Sequence, residues 1–129
     1  MNPLASANLP SSLTDVVHAI GLNATLTLVE HLGGTRVYVP EQLPDSHLLA
    51  RLLGHRAAHA LAATFPGEAL DLPRCTQALR HARDQLIRQA RAGGASVRSL
   101  ALKHGLTERQ IYVILAAGEQ EASPQQRLL

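Results

Sequence analysis

The side chains best suited to bind another molecule lie on either side of a predicted helix break at His104-Gly105. Arg98 and Lys103 precede this break, and Arg109 follows it closely. Guanidinium and ammonium groups pair with phosphate, and an arginine can also donate two hydrogen bonds to guanine. Three cations in so short a segment predict contact with a nucleic acid, and a solvated helix surface is the alternative.

Side chains suited to catalysis or metal binding are sparse elsewhere. His55 and His59 are four residues apart, which places two imidazoles on one helix face, as in a zinc site. Because the sequence shows no third ligand beside them, we expect two surface histidines and no metal site. Cys75 is the single cysteine, which excludes an intramolecular disulfide and fits a reducing compartment. Without a glycine-rich phosphate loop or a carboxylate pair, the sequence predicts no enzyme and no cofactor.

The three cations need a scaffold, and the segment 97–115 has the pattern of two short helices joined by a tight turn. Gly105 suits the left-handed conformation of such a turn, and Thr107 with Gln110 forms a capping box for the second helix. Apolar residues recur at helical spacing in both halves: Val97, Leu100, Ala101, Ile111, Ile114 and Leu115. This pattern is typical of a helix-turn-helix. An ordinary helical hairpin that binds nothing is the alternative.

The distribution of charge favours a polyanionic partner for the C-terminal half. Residues 1–73 contain three basic and six acidic residues, whereas residues 74–129 contain nine basic and four acidic residues. The basic half therefore coincides with the predicted helix-turn-helix.

The N-terminal half contains an internal duplication. Residues 21–40 align with residues 54–73 at a constant offset of 33, without a gap. Each copy predicts two short helices separated by glycine, followed by a short strand that ends at proline. A single copy has one strand with both edges open, so we expect the two strands to pair antiparallel, either within one chain or between two chains.

Alternation along the two strands predicts their faces. Where the two strands pair, the face turned towards the core would carry Val37, Val39, Leu70 and Leu72. The outward side would carry Arg36 and Tyr38, opposite Ala69 and Asp71.

A basic helix predicted from about Arg74 or Thr76 to Ala92 completes a three-helix DNA-binding arrangement. Its predicted apolar stripe is Leu79, Ala82, Leu86 and Ala90. We therefore expect a mainly α fold with short β-strands. Its parts would be a duplicated helix-helix-strand domain at 1–73, a helix-turn-helix domain at 74–117 and a flexible tail at 118–129.

Two stretches resemble the Mor family, the phage Mu-type activators of middle and late transcription. They are His31-Leu-Gly-Gly-Thr-Arg-Val-Tyr-Val-Pro40 and Gly94-Ala-Ser-Val-Arg-Ser-Leu-Ala-Leu-Lys-His-Gly-Leu-Thr-Glu-Arg-Gln-Ile-Tyr112. Both occur in the family's order, and the resemblance covers about residues 13–115. It implies a helical dimerisation domain with a short strand, followed by a DNA-binding domain. It also implies a homodimer that binds a two-part promoter site and recruits RNA polymerase.

The resemblance further implies which side chains face double-stranded DNA. On the helix-turn-helix these are Ser96, Thr107, Glu108, Arg109, Tyr112 and Val113. In the family the strand lies near the dimer axis and approaches the DNA, and Arg36 and Tyr38 occupy that strand here. Two features depart from the family: an acidic segment follows the second helix, and Asp71 lies on the outward face of the second strand.

We therefore expect a sequence-specific DNA-binding transcription regulator, an activator of phage or prophage origin. Arg109 would contact bases, and Ser96, Arg98 and Lys103 would contact phosphate. A protein-interaction module that keeps the fold with weak or no DNA binding is the alternative, because of the acidic segment. The N-terminus lacks a secretory signal and no apolar run is long enough to span a membrane, so we expect a cytoplasmic, nucleoid-associated protein.

Overall fold

The computed structural model describes residues 11–122, with the side chains of residues 13–119. Within these residues the fold is mainly helical with one short two-stranded sheet, as the sequence predicted. The helices are α1 (Ser11–Ile20), α2 (Leu22–Leu32), α3 (Leu48–Leu53), α4 (His55–Thr64), α5 (Thr76–Ala92), α6 (Val97–His104) and α7 (Glu108–Ala122). The strands are β1 (Arg36–Tyr38) and β2 (Ala69–Asp71). None of the described helices is both long and apolar enough to cross a bilayer.

The chain divides into two compact units. Unit 1 ends at Arg80 and contains both helix-helix-strand repeats, and unit 2 begins at His81 and contains α6 and α7. The division falls inside α5, whereas the sequence placed a boundary between residues 73 and 74.

The two repeats of unit 1 have the same backbone at their helix breaks. Gly21 separates α1 from α2 with φ 89° and ψ 161°, and Gly54 separates α3 from α4 with φ 85° and ψ 163°. The bond that closes the preceding helix also repeats, from Gly21 N–H to Val17 O at 2.8 Å and from Gly54 N–H to Ala50 O at 2.9 Å. Residues 33 apart in sequence therefore occupy equivalent places.

The strands β1 and β2 pair antiparallel within one chain. The opposed residues are Arg36 and Asp71, Val37 and Leu70, and Tyr38 and Ala69. Next to them, Val39 N–H donates to Glu68 O at 2.8 Å and Leu72 N–H donates to Thr35 O at 2.9 Å. These two bonds are equivalent under the 33-residue offset, so the repeats are related by a local twofold axis. The sequence left open whether one or two chains form this pairing.

Equivalent positions of both repeats build the core of unit 1. α1 contacts α4 and α2 contacts α3, so the first helix of each repeat packs on the second helix of the other. Buried side chains occur in pairs 33 residues apart: Val16 and Leu49, Val17 and Ala50, Leu28 and Leu61, Val29 and Ala62, and Val39 and Leu72. Val37 and Leu70 are half-buried against the same core. The predicted inward faces of both strands thus contribute to one apolar interior.

In unit 2, one apolar cluster joins α5 to α6 and α7. Its buried members are Ile87, Val97, Leu100, Ala101, Ile111 and Ile114. On α5, Leu79 and Ala82 are buried as predicted, but Ile87 is fully buried whereas Leu86 is only half-buried. The predicted stripe therefore missed Ile87, because Leu86 and Ile87 are adjacent apolar residues and periodicity alone does not decide which of two neighbours is buried.

The helix α7 continues beyond the predicted end of the domain. The tail predicted for 118–129 is wrong for residues 118–122, because α7 extends through Gly118 to Ala122, and residues 123–129 lie outside the described part. The residues around Gly118 are good helix formers, which offsets the cost of one glycine. A Cβ at Gly118 would collide with the side chain of Arg88, so glycine here allows Arg88 to approach α7.

Core packing in unit 1 predicts unequal effects at two adjacent leucines of α3. Leu49 is fully buried, whereas Leu48 is 59% exposed. Leu49→Ala should lower the free energy of unfolding by about 2–5 kcal/mol, because it removes buried methyl groups and leaves a cavity. Leu48→Ala, the matched control, should change it by no more than about 0.5 kcal/mol. Urea unfolding followed by circular dichroism measures both, and equal losses would contradict the packing described.

Candidate nucleic-acid interface

Local hydrogen bonds define the turn between α6 and α7. Ser96 caps α6, accepting a hydrogen bond at its side-chain oxygen from Ser99 N–H at 3.1 Å. Gly105 ends α6 in the left-handed conformation, with φ 65° and ψ 32°, and Leu106 N–H donates to Ala101 O at 3.0 Å. Gly105 N–H also donates to Ala101 O, so two backbone donors converge on this carbonyl group where α6 ends. The expected glycine turn is present.

A reciprocal pair of hydrogen bonds begins α7. Gln110 N–H donates to Thr107 Oγ1 at 3.1 Å, and Thr107 N–H donates to Gln110 Oε1 at 2.9 Å. This is the predicted capping box, and it sets the direction of α7 at its first turn. The hydroxyl groups of Ser96 and Thr107 therefore have structural partners, and Ser96 retains its O–H as a donor.

The outer surface of this α6–turn–α7 segment contains all eight of its predicted contact residues. Ile111 and Ile114 are buried, which turns the residues between them outward: Tyr112 is 58% exposed and Val113 is 61% exposed. The remaining predicted residues are also exposed: Ser96, Arg98, Lys103, Thr107, Glu108 and Arg109. The segment thus combines cationic, hydroxyl and apolar groups on two capped helices.

The arginines of the chain differ in their partners. Arg80 binds Glu30 at 2.8 Å, Arg83 binds Asp84 at 3.1 Å, and Arg91 donates to Ala95 O at 3.0 Å. By contrast, neither Arg98 nor Arg109 has a hydrogen bond or ion pair with the part of the chain that the structure describes. The guanidinium groups of the α6–turn–α7 segment are therefore available to an external anion, unlike those of α5.

The side chain of Arg88 connects α5 to α7. Its Nε donates to Ile114 O at 3.1 Å, and its side chain lies against Gly118. Arg88, Tyr112 and Glu119 also line a cleft of about 620 Å³ in unit 2. This hydrogen bond holds the middle of α7, so Arg88 positions the exposed face of that helix.

Two titratable groups, His104 in unit 2 and Cys75 in unit 1, shift towards their uncharged forms. Burial, with help from the charges of Lys103 and Arg83, lowers the pKa of His104. The lowered pKa favours the neutral imidazole, so His104 contributes less positive charge to the segment than an unperturbed histidine would. Burial raises the pKa of the Cys75 thiol, which keeps it protonated and unreactive at neutral pH.

Arg36 and Tyr38 lie on β1 in unit 1, apart in sequence from the α6–turn–α7 segment. Arg36 Nε lies 2.8 Å from Asp71 Oδ1 across the strand pair. This hydrogen bond lowers the pKa of Asp71 and raises that of Arg36. Tyr38 is 59% exposed. Asp71 thus pairs with Arg36 within the chain, in addition to disfavouring phosphate nearby.

Sequence reasoning missed two exposed groups. Leu102 is 75% exposed on α6. Its exposure could have been predicted from the sequence, because at helical spacing Leu102 lies off the buried face formed by Leu100 and Ala101. Asp45 lies beside His55 and His59, with its Oδ1 3.1 Å from His55 Nδ1. It precedes His55 by ten residues in a loop, so spacing alone gave no signal for this neighbour.

The comparison with protein families decides the affiliation. The profile described as the Mor transcription activator family matches residues 42–129. The chain belongs to the Mor transcription activator family. Comparisons with curated proteins and with solved structures each gave no match.

The extent of the Mor match differs from the resemblance seen in the sequence. The match begins after Pro40 and reaches the C-terminus, whereas the resemblance was placed at about residues 13–115. It therefore covers one helix-helix-strand repeat and unit 2, and leaves out the His31–Pro40 stretch. In this Mor protein the first repeat precedes the family match and pairs with the second repeat through β1 and β2.

The turn geometry predicts a specific cost at Gly105. Gly105→Ala should destabilise unit 2 by about 1 kcal/mol, because a Cβ disfavours the left-handed conformation even where space is free. Gly93→Ala is the matched control: Gly93 lacks a positive φ, and its added Cβ would lie 3.5 Å from Ala90 O, an ordinary contact. Native-state hydrogen exchange of the α6 and α7 amides measures both, and equal protection in the two variants would refute the assignment.

Proposed function

We propose that this Mor family member is a sequence-specific DNA-binding transcription activator whose α6–turn–α7 segment is a helix-turn-helix. The observation that carries the proposal is the pair of exposed arginines, Arg98 and Arg109, on a capped two-helix segment. Neither arginine has an ionic partner among the described residues. Family membership supports transcription activation, and a major groove admits one α-helix such as α7.

Each exposed side chain has a role in this proposal. Arg109, in the first turn of α7, would contact guanine, and Glu108 beside it could accept from cytosine. Tyr112 and Val113, one turn further along, present apolar surface suited to thymine methyl groups. Arg98 and Lys103 on α6 would pair with phosphates, and Ser96 could donate its O–H to one. Thr107 would contribute through the capping box that orients α7.

The strand residues form a second proposed contact. Arg36 and Tyr38 are exposed on β1, but Arg36 would have to leave Asp71 before it could bind phosphate. We therefore propose that the helix-turn-helix makes most of the contacts with DNA. Recruitment of RNA polymerase, phage or prophage origin and association with the nucleoid are proposed from family membership.

Strand pairing within the chain also bears on oligomeric state. The family resemblance implied a homodimer, and the sequence left an intrachain equivalent open. Because β1 and β2 pair with each other, one chain already contains two helix-helix-strand repeats about a local twofold axis. We propose that one chain supplies the arrangement that two subunits would otherwise make, with a single helix-turn-helix.

If Arg109 contacts a base, its removal should lower the affinity for DNA, and a lysine in its place should not restore that affinity. Arg109→Ala should weaken binding to the cognate site by about 1–3 kcal/mol. Arg109→Lys should restore little of this loss, because lysine keeps the charge but lacks the two parallel donors. Gel shifts on DNA selected from a random pool would measure both. Arg51→Ala, which removes an exposed arginine from α3, is the control and should bind as the wild type does. Equal affinity of the Arg109→Ala variant would overturn the assignment.

Salt dependence separates DNA binding from a protein-interaction module. A protein with several phosphate contacts should lose affinity steeply as salt rises, and Arg98→Ala should reduce the slope of log K against log salt by about one. Absence of DNA binding even at low salt would favour the interaction module instead.

The intrachain pairing predicts the mass of the free protein. Sedimentation equilibrium at micromolar concentration should give the mass of one chain, 13.8 kDa. Twice that mass would show that another surface joins two chains.

A further inference from the structure

Asp45, His55 and His59 form a cluster of potential metal ligands in unit 1. One ligand atom of each residue lies within 4.8 Å of the other two. Asp45 Oδ1 is 3.1 Å from His55 Nδ1 and 3.8 Å from His59 Nε2. Two ligands about 2.1 Å from one tetrahedral ion lie about 3.4 Å apart, so both distances are close to those of a bound pair. The sequence showed two histidines on one helix face and no third ligand beside them, and the structure adds Asp45 as a candidate third ligand.

The internal duplication provides a reference for the histidine pair. At the offset of 33, Leu22 is equivalent to His55 and Leu26 is equivalent to His59. Leu22 and Leu26 are buried, at 9% and 4% exposure, whereas both histidines are exposed. The same helix face is thus apolar and covered in one repeat, and open to solvent with two imidazoles in the other. Both histidines are accessible to an incoming ion.

We propose that Asp45, His55 and His59 bind one late first-row divalent metal ion, such as Zn²⁺. Imidazole and carboxylate together suit this class of ion, whereas Mg²⁺ and Ca²⁺ favour sites built from oxygen ligands. Three protein ligands leave a fourth position for water. The ion fastens the loop that contains Asp45 to the first two turns of α4.

The start of helix α4 is an unfavourable place for a cation. His55 is the first residue of α4, and the positive end of a helix dipole disfavours a cation. The Asp45 carboxylate supplies negative charge at the same place. The site therefore depends on all three ligands, and the histidine pair without Asp45 binds more weakly.

Calorimetric titration of tag-free, chelator-treated protein with Zn²⁺ tests the site. The wild type should bind one ion per chain. His55→Gln and His59→Gln should each weaken binding by at least about tenfold, since even outer-sphere changes cost 10–100-fold at metal sites. Asp45→Asn should weaken binding in the same direction. His18→Gln changes an exposed histidine on α1 and should bind as the wild type does.

A stability measurement gives a second readout that is independent of DNA binding. At one fixed concentration, Zn²⁺ should raise the thermal unfolding temperature of the wild type and of His18→Gln more than that of His59→Gln, because an ion that binds only the folded state stabilises it by an amount that grows with its affinity. Mg²⁺ should have no such effect. Circular dichroism without metal would show whether each variant is folded.

Three results would overturn the proposal. These are absence of saturable Zn²⁺ binding, binding that survives the double change His55→Gln and His59→Gln, and wild-type affinity in Asp45→Asn. The second result would mean adventitious binding elsewhere, and the third would mean a histidine pair without a carboxylate ligand.

Discussion

The pairing of β1 with β2 is the interaction on which unit 1 depends. A three-residue strand alone leaves its N–H and C=O groups unpaired and does not persist. Here each repeat supplies the missing partner of the other, through reciprocal bonds from Val39 to Glu68 and from Leu72 to Thr35. Because these bonds impose a local twofold axis, α1 packs on α4 and α2 packs on α3. One apolar core then buries the equivalent residues of both repeats.

The same constraint shapes the proposed DNA-binding arrangement. The Mor family match covers the second repeat and unit 2, and the first repeat precedes it. A chain that satisfies its strand pairing internally has two helix-helix-strand repeats for one α6–turn–α7 segment. Within unit 2, the bond from Arg88 to Ile114 O and the Thr107 capping box orient α7 without using Arg98 or Arg109. Scaffold and contact surface are therefore built from different side chains.

The two repeats have the same backbone conformation at their helix breaks but differ in the side chains on their surfaces. Leu22 and Leu26 are buried in the first repeat, and their equivalents His55 and His59 are exposed beside Asp45 in the second. On the paired strands, Arg36 of one repeat binds Asp71 of the other. The two repeats therefore match at most of the paired core positions and differ at the helix face that holds Leu22 and Leu26 in one repeat and His55 and His59 in the other.

The sequence by itself determined the features that depend on neighbours a few residues away or on repetition. The Gly105 turn, the Thr107–Gln110 capping box and the helix breaks at Gly21 and Gly54 are local, so residue type and spacing were sufficient to predict them. The mainly helical fold followed from the same patterns, and the family followed from the resemblance of two stretches of sequence, which the match over residues 42–129 confirmed.

Only the tertiary structure decided that the strands pair within one chain, that Asp45 joins the two histidines, and that Arg88 lies against Gly118 in a longer α7. These contacts join residues far apart along the chain. They depend on how helices and loops pack, which residue spacing does not encode.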